Sequence, residues 1–218
     1  MSEPRTASLL VDYYESFLRD QDLSAFRLNV GARYTEGTLL RLVESGTTPA
    51  RRAAVLSLGL SGTMRVNEAL GRALRDEDPS VRNLAQNALW AIWFRADTPE
   101  NNVSLMEIQE LTSRGKPEAA AAAATSLIGR APQFAEAYNR RAIAYFAQGR
   151  FVESAADCRR VLDRNPCHFG ALAGLGQCYL RLDDQAEALK VFRRALKLQP
   201  YNEGLRESVA ALEGKIKD

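Results

Sequence analysis

Cys158, Cys167, His168 and Cys178 bring four soft metal-ligating side chains into 21 residues of this 218-residue chain. Thiolate and imidazole are the usual donors of tetrahedral zinc sites. The spacings match no standard zinc knuckle, and a buried thiol behaves as a small hydrophobe. The four therefore read as separate packed or surface residues, with no metal and no cofactor. His168 is the only histidine, and nucleophilic catalysis commonly needs a base within hydrogen-bond reach of a Ser or Cys. Cys167 is adjacent, but sequence neighbours are seldom oriented as a pair. No G-x-S-x-G, H-E-x-x-H or G-x-x-x-x-G-K-S/T occurs, and Gly174-Leu175-Gly176 follows no strand. Without a catalytic constellation the chain does not read as an enzyme.

The acidic clusters Asp76-Glu77-Asp78 and Asp183-Asp184 fall at expected helix turns, where carboxylates favour helix N-termini. Arg159-Arg160 and Arg193-Arg194 stand one repeat apart on second helices and read as solvated faces, with an anionic partner as the lesser reading. Asn102-Val103-Ser104 fits a glycosylation sequon. The start Met1-Ser2-Glu3-Pro4-Arg5 lacks the character of a signal peptide, so the sequon is expected to be silent. No apolar run approaches the roughly 20 residues of a membrane span. Net charge is +2 and spread evenly along the chain, which argues against nucleic acid. Three cysteines make no disulfide framework. The expected setting is a reducing cytoplasm.

The elements that must position these residues follow from periodicity. Pro132, Pro166 and Pro200 fall 34 residues apart, and each closes a segment of the same internal pattern. A fixed period of this length marks a helical array whose units bury their apolar faces against their neighbours. The last unit, from Phe169, carries Leu172, Leu175, Gly176, Tyr179, Ala188, Phe192, Ala195 and Pro200. The middle unit gives Tyr138, Ala142, Tyr145, Ser154, Cys158, Val161 and Pro166, with Arg141 at a place usually held by Leu. The first is degenerate, with Ile108, Leu111, Ala120, Leu127 and Pro132. Gly115, Gly149 and Asp183 mark the turn within each unit at one offset. The alanine run Ala119 to Ala124 reads as the second helix of the degenerate unit. Asn202 can cap a last helix from Glu203 to about Ile216.

On these residues the region resembles the tetratricopeptide repeat family over about 100 residues. In that register Cys158 and Cys178 take packing positions and Cys167 and His168 an inter-repeat turn. Upstream, Thr48-Pro49-Ala50-Arg51-Arg52 aligns with Asp78-Pro79-Ser80-Val81-Arg82 at a period of about 30 residues. The second of these is similar to a HEAT-type repeat, in which an aspartate at the turn and a following arginine stabilise the stack. Arg82 and, in the upstream unit, Arg52 match that arginine. Leu9, Tyr13 and Phe17 beside Leu10, Tyr14 and Leu18 predict an amphipathic helix over residues 7–19, ended by Asp22 and followed by a short element through Phe26 and Val30. Trp90, Trp93 and Phe94 cannot share one side of a helix. The expected architecture is an all-α, right-handed solenoid of helical hairpins. Residues 1–34 form an N-terminal helical cap, 35–96 the HEAT-like repeats, and 97–218 three tetratricopeptide units with a C-terminal capping helix, fused into one continuous array.

The family resemblance implies a groove lined by the first helix of each repeat. Here it would comprise Leu105, Gln109, Thr112, Asn139, Arg140, Ile143, Phe146, Ala173, Gln177, Leu180 and Arg181. Chaperone-binding members clamp a C-terminal carboxylate with a lysine–asparagine–arginine set. At the corresponding places this chain has Leu105, Gln109, Arg140, Gly170 and Gly174, so that ligand is disfavoured. The resemblance implies a scaffold or adaptor that binds a protein or peptide segment with apolar anchors and some acidic groups. The alternative is an accessory or regulatory subunit of a permanent complex, or a homo-oligomer, without a separate peptide site; a further reading has the groove residues only pack against the terminal helix.

Overall fold

Hydrophobic periodicity and turn chemistry place every element. The structure is a computed structural model that describes the backbone of residues 5–217 and the side chains of residues 9–215. Residues 1–4 and 218, and with them most of the segment read against a signal peptide, lie outside the described residues. Among the described residues there are thirteen α-helices, one 3-10 turn and no strand. No described helix is long and apolar enough to cross a membrane. The chain divides into two compact units, residues 1–93 and 94–218.

The first unit runs through α1 (Arg5–Asp20), α2 (Leu23–Gly31), α3 (Glu36–Ser45), α4 (Thr48–Ser61), a 3-10 turn at Met64–Val66, α5 (Asn67–Ala73) and α6 (Pro79–Phe94). Of the two apolar rows on α1, Leu10 and Tyr14 are buried, and Tyr14 and Phe17 pack on Phe26 of α2 with ring centroids 6.4 and 5.6 Å away. Leu18, from the same row as Leu10 and Tyr14, is instead half exposed. Asp22 ends α1 and caps α2 through the Ala25 amide. Trp93 is buried and its indole N–H donates to Asn67 Oδ1 at 2.7 Å, while Trp90 meets it edge-on.

Asp78 does two things at once. Its Oδ1 accepts the Val81 amide and so caps α6, with Pro79 in the first helical position. The same carboxylate takes a bidentate bond from Arg52 of α4. Arg51 makes the matching bidentate bond to Asp76. A ladder of two arginines thus ties α4 to the turn before α6. Arg82 closes it by donating to the carbonyls of Asp76 and Glu77. The Arg52 bond holds the Asp78 carboxyl down at about 2, against a smaller upward push from burial.

The second unit is a chain of antiparallel hairpins: α7 (Pro99–Ser113) with α8 (Pro117–Arg130), α9 (Ala135–Ala147) with α10 (Phe151–Arg164), α11 (Phe169–Arg181) with α12 (Gln185–Leu198), then α13 (Glu203–Lys217). Thr98 caps α7, so Asp97-Thr98-Pro99 is a turn as its residues require. α8, α10 and α12 stop at Arg130, Arg164 and Leu198, two residues before Pro132, Pro166 and Pro200. Proline offers no amide and disfavours helical geometry before it. Within each hairpin the first helix ends on a left-handed residue, Gly115 (φ 68°), Gly149 (φ 74°) and Asp183 (φ 59°). The next amide reaches back five residues in all three: Lys116 to Leu111, Arg150 to Tyr145 and Asp184 to Tyr179, each at 2.9 Å. One helix-ending geometry is therefore repeated three times.

Packing explains the small residues. A methyl group at Gly176 would lie 2.5 Å from the Phe192 ring, so only glycine lets α11 and α12 close. Leu105, Ile108, Ala120, Ala124, Leu127, Phe134 and Ala137 form the core of the first two hairpins, with Phe94 packed against it. Arg141, in its unusual place, donates two bonds to the buried Asp157 and a third to Thr125. Leu205, Val209 and Leu212 of α13 are buried, so the last helix covers the final hairpin.

Candidate functional site

The first helices α7, α9 and α11 lie side by side, since each hairpin stacks on the next. Of the expected groove residues, Gln109 and Thr112 on α7, Ile143 and Phe146 on α9, and Ala173, Gln177, Leu180 and Arg181 on α11 are exposed or half-buried, and Arg181 meets Phe146 across two of these helices. Met106, one residue beyond Leu105, is 57% exposed on the same helix and was missed. Its place in the 34-residue register was the signal.

Three expected groove residues need correction. Leu105 is fully buried among Ile108, Ala124 and Leu127, because the α7–α8 hairpin closes over it. Asn139 is buried and donates its amide to Glu136 Oε1 at 2.9 Å. Arg140 is pinned: its guanidinium binds Glu136 Oε1 and lies 4.5 Å from the centroid of the Phe94 ring. It is not a free cation for a ligand.

Glu136 is the residue that sequence reasoning overlooked. It is 1% exposed, and besides Asn139 and Arg140 it holds His168. His168 Nδ1 accepts the Ala171 amide at 3.0 Å, capping α11. Its Nε2 therefore carries the hydrogen and donates to Glu136 Oε2 at 2.9 Å. Burial pushes the Glu136 pKa up, but the His168 bond, the Arg140 charge and the Asn139 amide outweigh it, and the net shift is downward. Glu136 and His168 begin consecutive first helices, so the repeat register already placed them side by side.

Two of the three cysteines, Cys158 and Cys178, are buried between the helices. The Cys178 thiol donates to Ser154 Oγ at 3.2 Å, and Ser154 donates to the Ala142 carbonyl at 2.8 Å. Its hydrogen bond with Cys178 and its burial push the Cys158 thiol up, so it stays protonated. These groups pack helices α9, α10 and α11 together.

Arg181 is an exposed polar residue of this set. Its guanidinium lies 4.4 Å from the Phe151 centroid and 5.9 Å from that of Phe146. The two rings meet edge to face at 5.1 Å. In the first unit, a cavity of about 570 Å³ is lined by Val43, Glu44, Arg51, Arg72, Asp76 and Glu77. Its arginines are already paired, Arg51 with Asp76 and Arg72 with Glu44.

Family models described as Tetratricopeptide repeat match residues 105–167 and 169–202. A TPR repeat-containing protein of Rhizobium etli is 26% identical over 156 residues, covering 72% of this chain and 76% of that protein. The Hsp70-Hsp90 organizing protein of Triticum aestivum is 31% identical over 98 residues, 45% of this chain but 17% of that protein. Among solved structures, the Sgt2 TPR domain from Aspergillus fumigatus matches with a TM-score of 0.52 at 21% identity, covering 56% of this chain and 82% of that one. The first TPR of Spaghetti (RPAP3), bound to the HSP90 peptide SRMEEVD, matches with a TM-score of 0.53 at 22% identity, covering 56% and 97%. At these identities the two structures share the fold.

Proposed function

Since this chain carries tetratricopeptide repeats over residues 105–167 and 169–202, we propose that it is a non-enzymatic scaffold that binds a protein segment on the α7–α9–α11 face. The observation that carries this reading is a set of accessible residues on the first helices, exposed Met106 and Ile143 and half-buried Phe146 with exposed Gln109, Gln177 and Arg181. Apolar anchors flanked by amides and a cation suit an extended peptide or a helix. The Spaghetti domain holds an HSP90 peptide, yet here Leu105 is core and Arg140 is tied to Glu136. The proposed ligand is therefore not a chaperone C-terminus. Residues 35–96 are read as a HEAT-type pair on the strength of the Arg52–Asp78 ladder, and the setting as cytoplasmic.

Selection of random dodecapeptides displayed on phage against the full chain tests the reading. Selected peptides should bind in solution and lose binding to Ile143→Glu, which changes a surface residue without touching the core. Absence of selected binders, or indifference to Ile143→Glu, would refute it. A second reading, a permanent complex or homo-oligomer, draws on the exposed Leu18, Leu23 and Leu28 of the first hairpin. Light scattering after size exclusion decides it: a monomer at all concentrations excludes the homo-oligomer.

A further inference from the structure

Arg181 differs from the other arginines of its unit that meet an aromatic ring. Arg140, Arg141 and Arg150 each stack and also bind a carboxylate: Glu136, Asp157 and Glu153. Arg159 stacks on Tyr179 and bonds its hydroxyl, and Arg164 stacks on Tyr138 and donates to carbonyls. Arg181 lies over Phe151, with Phe146 5.9 Å away, and no hydrogen bond or ion pair of its guanidinium occurs among the described residues. Its position in the last turn of α11 favours a cation, but the helix end alone does not call for two aromatic rings. The Phe151 ring under the guanidinium restrains it, while its five N–H donors make no bond to a described residue.

We propose that Arg181, held on Phe151 beside Phe146, is the seat for an aspartate or glutamate side chain of the bound segment, with the preceding or following aliphatic residue on Ile143 and Phe146. This inference rests on the peptide-binding reading of the same face. Ile143, 39% exposed, stands one turn before Phe146 on α9 and continues the apolar surface along that helix. Gln177 is exposed one turn before Arg181 on α11 and offers an amide to the ligand backbone. The occupant is chosen by charge complementarity: a stacked, unpaired guanidinium beside an aliphatic patch matches a carboxylate beside an aliphatic side chain. Because the Phe151 ring already restrains Arg181, little side-chain freedom is lost when the carboxylate arrives.

The test uses the full chain and dodecapeptides selected by display, then synthesised with amidated C-termini so that only side-chain carboxylates remain. The expected consensus is Asp or Glu next to Leu, Ile, Val or Phe. Arg181→Gln should weaken such a peptide about tenfold, the size of one charge-assisted hydrogen bond, with unchanged helical content. Exchanging the peptide's Glu for Gln should weaken wild type to the same degree and leave Arg181→Gln unaffected. Arg181→Lys, which keeps the charge but loses the fork and the stack, should fall between. If selected peptides lack the acid, or bind Arg181→Gln as tightly as wild type while Ile143→Glu abolishes binding, the arginine seat is overturned and the groove stands. If Ile143→Glu is also without effect, both readings fall.

Discussion

A carboxylate shut away from water needs donors, and Glu136 has three: His168, Arg140 and Asn139. Removing it leaves a guanidinium, an amide and an imidazole N–H facing each other in a buried site. Loss of one member of a buried pair costs about 3 kcal/mol or more, so Glu136→Ala should lower the urea-unfolding free energy by about that much. Its pKa is held below the ordinary carboxylate value. The stabilisation is therefore fully present above that ordinary value and is lost as pH falls through the folded one. Asp78 obeys the same sign with a value to name. Folded near 2 against an ordinary 3.8, it contributes fully above about pH 4 and loses that contribution between pH 4 and 2. Asp78→Asn keeps the helix cap, because asparagine caps as well as aspartate, but deletes the Arg52 ion pair. The variant should start less stable at pH 7 and show a flatter fall in thermal midpoint between pH 4 and 2. An equal slope in both proteins would remove Asp78 from the acid response.

At the scale of elements, the three hairpins of the second unit use one turn with two residue types. Gly115 and Gly149 occupy the left-handed region at no steric cost, whereas Asp183 adopts φ 59° with a Cβ. Opposite substitutions should then have opposite signs. Gly149→Ala should cost about 1 kcal/mol, and Asp183→Gly should gain a fraction of that, since Asp tolerates this region better than Ala. Both are read from denaturant midpoints, and two changes of the same sign would mean the turns differ. These turns were legible in the sequence because they depend on local chemistry at a fixed offset. So were the proline stops and the place of Asp78 at a helix N-terminus. Leu105, Asn139 and Arg140 depart from the register because it names a face, while the core of the α7–α8 hairpin takes Leu105 and Glu136 holds Asn139 and Arg140. The stack of Arg181 on Phe151 was not legible at all, since it joins residues of two hairpins through their rotamers.

The division of the whole molecule has a physical basis at one residue pair. Trp93 turns into the first unit, where its indole binds Asn67. Phe94 turns to the second, packing on the Leu105–Ile108–Leu127 cluster and lying under the Arg140 guanidinium. An aromatic pair at consecutive helical positions points in directions about 100° apart. The boundary thus falls at Trp93–Phe94, inside α6 and three residues ahead of the division between residues 96 and 97 expected from the sequence. Repeat arrays are stabilised by their own hairpins and by nearest neighbours, and the second unit has three hairpins closed by α13. A fragment of residues 94–218 should therefore unfold cooperatively with a helical circular dichroism spectrum. It should also bind any selected dodecapeptide within about twofold of the full chain, because every residue of the proposed face lies after Phe94. A fragment beginning at Pro99 lacks Phe94, and Arg140 loses its aromatic support. It should be less stable by about 1–3 kcal/mol, the value of a partly buried aromatic. Equal stability of the two fragments would show that Phe94 belongs to the first unit after all.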